Sequence, residues 1–145
     1  MDNEIKKELM FSMNDLATYF IKLRNKLCTP YGLSVPETEI VFDIYQFGSS
    51  KVTDICERLN RSTNIISPSI SSLEKKKIVS KNKNLKDKRI TLINLTDSGL
   101  KLIHEILTDV SDYYSLFLSH YNDDELKQIL DLVNKASKEV KEWNI

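Results

Sequence analysis

Apolar residues recur along this chain mainly at spacings of three and four, the period of an α-helix. Ile5, Leu9, Met13, Leu16, Phe20, Leu23 and Leu27 keep that spacing without a gap and predict a first helix over residues 4–27. The run CTPYG, with Pro30 and Gly32, breaks it. Ser34 with Glu37 forms a capping box for a second helix reaching Phe47. Pro36 sits in its first turn, where the missing amide costs nothing, and Val41, Ile44 and Tyr45 are its buried side. Gly48-Ser49-Ser50 ends it. Val52–Leu59 reads as a short helix with Ile55 and Leu59 one turn apart on a shared face. Ser62 is the N-cap of the next helix, which extends to Lys76. Its apolar positions Ile66, Ile70 and Leu73 make a narrow core-facing stripe, and Thr63, Asn64, Ser67 and Ser71 are its small, polar, exposed positions. The period then changes. Ile78-Val79 starts a strand and Arg89–Leu95 is its partner, with KNKNLKDK between them too polar for any core. Thr96 caps a long helix with an a/d seam of Leu100, Ile103, Leu107, Val110, Tyr114, Phe117 and Tyr121. Asn122 with Glu125 caps a last helix, whose Ile129, Val133, Ala136, Val140 and Trp143 carry the spacing to the end.

Two short helices followed by a lysine-rich hairpin is the layout of a winged helix-turn-helix. Charge sets this stretch apart. Residues 51–89 hold eleven basic and four acidic residues, a net of +7, whereas the whole chain is neutral and the rest therefore carries −7. A basic face on an acidic body can bind phosphates, which the net charge alone conceals. At 145 residues, with 41% hydrophobic and 29% charged residues, this is an ordinary single-domain length and composition. No apolar run approaches a membrane span and the charged start MDNEIKKELM is no signal peptide, so a cytoplasmic location is expected. The two cysteines, Cys28 and Cys56, lie far apart and outline neither a disulfide framework nor a zinc knuckle.

The same residues carry a family resemblance. Gly32-Leu33-Ser34 with Glu37, the run ISSLEKKKIV, Asp87-Lys88-Arg89 and then LTDSG at 95–99 resemble the MarR family of winged-helix transcriptional regulators. The likeness extends over nearly the whole chain. Lys77 stands where most members have Gly, at a turn suited to a left-handed backbone, and Pro68 lies where one branch carries T-L-[TS]-P-L-L, a branch that includes peroxide-responsive regulators. The sensing cysteine of that branch has no counterpart here, since the corresponding region reads MFSM. Cys56 replaces a small packed Ala and is expected buried, and Cys28, ending the first helix, partly exposed. The resemblance implies a two-fold dimer, a small-molecule pocket between the first, second and fifth helices with Tyr19, Tyr45, Tyr113 and Tyr114 as lining candidates, and a role for Asp87 in orienting Arg89 toward the minor groove. Core packing is the plainer role of those tyrosines. Some relatives bind zinc through Cys, Glu and His; Cys28, Glu39 and His104 lie in comparable regions, but the usual second His one turn later is Thr108.

An enzyme is not expected: there is no Gly-rich phosphate loop or nucleophile elbow, and neither His104 nor His120 has a Cys or Ser at motif spacing. The fold class expected is mainly α (α+β), a winged helix-turn-helix of about six helices and a two-stranded wing. Residues 1–32 and 97–145 would form the helical dimerisation region and 33–96 the DNA-binding region. Ile5, Leu9, Ile129, Val133, Ala136, Val140 and Trp143 are the dimer-interface candidates, with Ile145 beside Trp143 at the chain end. Ser62, Thr63, Asn64 and Ser67 would face the major groove; Lys51, Lys75 and Lys76 are phosphate candidates; Lys83, Lys86, Lys88 and Arg89 form the wing. The expected function is a homodimeric regulator, a repressor, that binds a pseudo-palindromic operator in double-stranded DNA without a cofactor and responds to a small-molecule effector. A metal- or thiol-responsive regulator of the same fold is one alternative. A helical protein-interaction module without DNA binding is another, against which the +7 stretch argues.

Overall fold

The structure, a computed structural model, describes residues 2–143. The chain divides into two compact units, Met1–Asp109 and Val110–Ile145. The elements are α1 (Asn3–Cys28), a 3₁₀ turn (Thr29–Tyr31), α2 (Val35–Phe47), α3 (Val52–Leu59), α4 (Thr63–Lys75), β1 (Val79–Lys83), β2 (Thr91–Leu95), α5 (Asp97–Leu118) and α6 (Asp123–Lys141). The expected order of helices and hairpin is the observed one.

Local chemistry accounts for most boundaries. Asp2 caps α1 by accepting from the Glu4 amide. The Ser34–Glu37 box opens α2, the Ser34 amide donating to Glu37 Oε2 at 2.8 Å. Asn122 Oδ1 accepts from the Asp124 and Glu125 amides at 3.0 Å and opens α6. Lys77 has φ 61°, and the Ile78 amide donates to Leu73 C=O at 2.9 Å, which closes α4 in a Schellman turn. Thr96 then does two things: its hydroxyl donates to Lys77 C=O at 2.6 Å and accepts from the Gly99 amide at 3.0 Å. Gly99 has to be Gly, because a Cβ there would lie 2.1 Å from the Ile78 carbonyl oxygen. The TDSG sequence thus pins the start of α5 onto the chain entering the wing.

The core of the first unit is built from Ile40, Val41 and Ile44 of α2, Ile55 of α3, Ile66, Ile70 and Leu73 of α4, Val79 and Ile93 of the wing, and Ile103 and Ile106 of α5. β1 and β2 pair antiparallel, Val79 opposite Leu95 and Lys83 opposite Thr91. Ser50 adds a one-residue bridge to Ile93, with N···O distances of 3.1 and 2.8 Å, so the segment between α2 and α3 extends the hairpin by a fragment of third strand. In the second unit α6 buries no residue, and the Phe117 and Tyr121 rings meet at 5.4 Å.

Several expectations are corrected. Tyr45 is exposed, and Ile40, one turn before Ile44, takes its inward place. The two cysteines exchange roles: Cys28 is fully buried, beside Thr38 of α2, and Cys56 is half-buried because it sits at the flank of α3, its sulfur 3.9 Å from Thr63 Oγ1. Ser62 occupies the N-cap position of α4 with extended backbone but makes no side-chain cap bond; its carbonyl begins the helix instead. Ser67 and Ser71 are half-buried, Ser67 because it stands nearer the core stripe than Asn64. β1 begins at Val79 because Ile78 closes the Schellman turn, and β2 begins at Thr91 because the Ile90 amide donates to Asp87 C=O and keeps 87–90 in a turn. On α5 the buried positions are Gly99, Ile103 and Ile106, of which the predicted seam contains Ile103; Leu100 is exposed, and Tyr121 lies past the helix end at Leu118. Trp143 lies beyond the end of α6, and Ile145 is outside the described residues.

Candidate nucleic-acid interface

The candidate surface is assembled from α3, α4 and the wing, all within the first unit. Asp54 Oδ2 accepts from the Lys51 amide at 3.2 Å and fixes the start of α3. Asn60 (φ 49°) ends α3 in the left-handed region, which Asn tolerates, and the chain turns sharply into α4. Burial of Ile66, Ile70 and Leu73 leaves the opposite side of α4 facing solvent. Ser62, Thr63, Asn64 and Lys75 are exposed there. Ile65 and Pro68, which the polar pattern passed over, are exposed as well.

The eleven cations of residues 51–89 are not equivalent. Three are neutralised by carboxylates of α2, outside the stretch. Arg58 donates to Asp43 at 2.9 and 2.6 Å and to Ser50 Oγ at 2.7 Å, with its guanidinium 4.7 Å from the Phe47 ring centre. Arg61 grips Glu39, one of the two bonds at 2.9 Å. Lys76 Nζ lies 2.8 and 2.9 Å from the two Glu37 oxygens and donates to Gly32 C=O at 2.8 Å. Lys76, a phosphate candidate by sequence, therefore holds the end of α4 against the start of α2. Burial works to raise the Glu37 carboxyl, but the bonds from Lys76, the Ser34 amide and Ser72 outweigh it and bring its pKa to about 2. Lys81 pairs with Glu74 at 3.0 Å. Among the described residues Lys51, Lys75, Lys77, Lys83, Lys86 and Lys88 form no ion pair, and all six are exposed.

The wing tip is ordered by side chains bonding to backbone. Asn84 Oδ1 accepts from the Lys86 amide at 2.8 Å and the Asp87 amide at 3.2 Å. Asp87 receives the Arg89 amide at 3.0 Å and its guanidinium at two points, each 3.1 Å. The Arg89 hydrogen bonds hold the Asp87 carboxyl below its usual range. The Arg89 side chain remains 91% exposed, so it is aimed rather than buried. The sequence reading did not find Ser50 or Arg58, the residues that fix the wing to α2 and α3; an Arg in a short helix and a Ser before it carry no local signal of that contact.

The four tyrosines offered as pocket or core residues are all exposed within the chain. Tyr45 stacks edge-on against His104 at 5.9 Å and borders a cavity of about 300 Å³ with Ile44, Asn94, Leu95 and Leu100. Another cavity, about 350 Å³, lies among α1, α2 and α3 and is lined by Arg24, Phe42, Gln46, Phe47 and Arg58. Cys28, Glu39 and His104 are not gathered: Cys28 is buried, Glu39 belongs to Arg61 and His104 to Tyr45, and no group of three His, Cys, Asp or Glu among the described residues could hold a metal ion. Burial pushes the Cys28 thiol up, toward the unreactive protonated form. No helix among the described residues is long and apolar enough to cross a membrane.

Comparison with known proteins gives the context. The family described as "Transcriptional regulator SarA/Rot" matches residues 22–106. The HTH-type transcriptional regulator YwaE of Bacillus subtilis (strain 168) is 26% identical over 117 residues, 81% of this chain and 68% of YwaE. A MarR family protein from Bacillus stearothermophilus superposes with a TM-score of 0.89 at 15% identity, covering 98% of this chain and 99% of that one. A variant of S. aureus MepR bound to an oligodeoxyribonucleotide superposes with a TM-score of 0.63 at 17% identity, covering 91% of this chain and 97% of that one.

Proposed function

This chain belongs to the SarA/Rot family of transcriptional regulators, and from that premise we propose that it binds operator DNA as a homodimer and represses transcription until a small effector releases it. The observation that carries this reading is the Asp87-oriented, exposed Arg89 on a wing whose Lys83, Lys86 and Lys88 form no ion pair among the described residues, continuous in sequence with the small, polar, outward face of α4. In this reading Ser62, Thr63, Asn64 and Ser67 approach major-groove base edges, Asn64 being able to bond adenine at two points. Lys51, Lys75, Lys83, Lys86 and Lys88 lie on phosphates. Arg89 enters the adjacent minor groove, where a narrow A-tract concentrates negative potential. A two-fold dimer would set its two α4 helices about 34–36 Å apart, one DNA turn, and so select a pseudo-palindrome. The effector would enter a cavity of the helical region, with Tyr45 at the edge of one and Arg24 and Arg58 on the wall of the other.

A salt titration of affinity for selected and random duplexes tests the assignment. Lys86→Ala should weaken both similarly and reduce the salt slope by about 0.9 per contact, or about 1.8 in a dimer. Asn64→Ala should leave the slope intact and reduce discrimination by roughly 1–3 kcal/mol per half-site. Arg89→Ala should show both effects, and Asp87→Ala a milder version of them. Unchanged affinity and slope in both Arg89→Ala and Asn64→Ala would remove this surface from the interface.

A further inference from the structure

Resting on the DNA-binding reading above, we propose that Ile65 and Pro68 form an apolar reader of thymine, recognising its 5-methyl group in the major groove. At 100° per residue, Asn64, Pro68, Ser71 and Lys75 fall on the line of α4 opposite Ile66, Ile70 and Leu73, and Ile65 flanks it. Ile65 is 39% exposed and Pro68 is exposed. Both are poor choices for a solvent-facing helix. Ile is stiffened at χ1 by its β-branch, and Pro68 has no amide to give the Asn64 carbonyl, so the helix gives up one hydrogen bond there. Neither side chain is among the buried positions of α4, which are Ile66, Ile70 and Leu73.

What covers this patch follows from its surroundings. Asn64 stands beside it, Lys75 lies farther along the same line, and the wing lysines follow in the chain, so the partner is polyanionic and polar. Duplex DNA meets that description, and the one apolar group on its major-groove edge is the thymine methyl. Asn64 on adenine with Ile65 and Pro68 on thymine gives a half-site core of A·T pairs.

The experiment uses duplexes that the full chain selects from a random-sequence pool, synthesised with thymine and again with uracil, which lacks only the methyl. The expected loss on changing thymine to uracil is roughly fourfold per contacted methyl, the worth of burying one such group, and roughly fifteenfold for two half-sites. Ile65→Ala and Pro68→Ala should each shrink that ratio, and the double variant should bind both duplexes alike; both sites are exposed and Ala favours the helix, so folding is spared. Asn64→Ala should weaken binding while keeping the ratio. Equal affinity of the unaltered chain for the two duplexes, or a ratio that survives in the double variant, overturns the methyl readout and leaves DNA binding standing. Selection of no duplex at all removes the DNA-binding reading and this inference with it.

Discussion

Lys77 shows how one residue can be read from sequence and then explained. It occupies the C′ position of α4 at φ 61°, a conformation that costs a residue with a Cβ about 1 kcal/mol relative to Gly. Its side chain is exposed and makes no ion pair among the described residues, so nothing in the chain offsets that strain. Lys77→Gly should stabilise the fold by about 1 kcal/mol, raising the melting temperature by a few degrees in a thermal scan. A lower melting temperature would mean that unfolded-state entropy of Gly outweighs the relieved strain. The position was legible through the family resemblance, in which Gly is usual at this turn; the helix stripe ending at Leu73 and the strand starting near Ile78 say only that a turn lies between them. The cysteines were not legible, because burial at a helix end depends on the element that folds over it. For Cys28 that includes α2, whose Thr38 lies beside the thiol, and no spacing within α1 encodes it.

Among elements, the sequence located what neighbouring residues decide and missed what distant ones decide. The bounds of α3, and the two capping boxes at Ser34 and Asn122, are those expected, since each depends on contacts within four residues. The Ser50–Ile93 bridge and the Asp43–Arg58–Ser50 knot join segments far apart in sequence, and no period announces them. The +7 stretch was legible as a charge pattern, but its partition was not: α2 supplies Glu37, Glu39 and Asp43, which assign Lys76, Arg61 and Arg58 to structural work. Glu37 gives this a pH signature. Its carboxyl titrates near 2 in the fold instead of at its ordinary 4.5, so its contribution is fully present above about 4.5 and is lost as the pH falls toward 2. That contribution is on the order of 2–3 kcal/mol. Glu37→Gln should therefore be less stable at pH 7 by about that amount, yet show a flatter decline between pH 5 and 2 than the unaltered protein. Urea unfolding at stepped pH measures both, and parallel declines would assign the acid sensitivity to other carboxylates.

At the scale of the whole molecule, the question is what covers the apolar faces that the chain leaves open. In the first unit α1 exposes Ile5, Leu9, Met13 and Leu16; in the second, α6 and the chain end expose Leu130, Val133, Val140 and Trp143. Apolar area on this scale along several helices is unusual for a protein that stays single in water. A second copy of the chain is the economical cover, because these faces carry the three-and-four spacing of a packed helical seam and the proposed operator reading needs a two-fold axis. The choice of variant separates folding from assembly. Val133 and Val140 are 57% and 44% exposed within one chain, so carboxylates there cost a single chain little. In a dimer the same carboxylates would lose hydration and face their symmetry mates, at a cost of several kcal/mol. Val133→Asp combined with Val140→Asp should give a folded protein, with helical circular dichroism unchanged, that sediments as a monomer at micromolar concentration where the unaltered chain sediments as a dimer. Its affinity for a two-half-site duplex should drop toward that for a single half-site, because the second contact is no longer intramolecular. A double variant that remains dimeric would place the interface elsewhere, on α1 alone or on the outward face of α5.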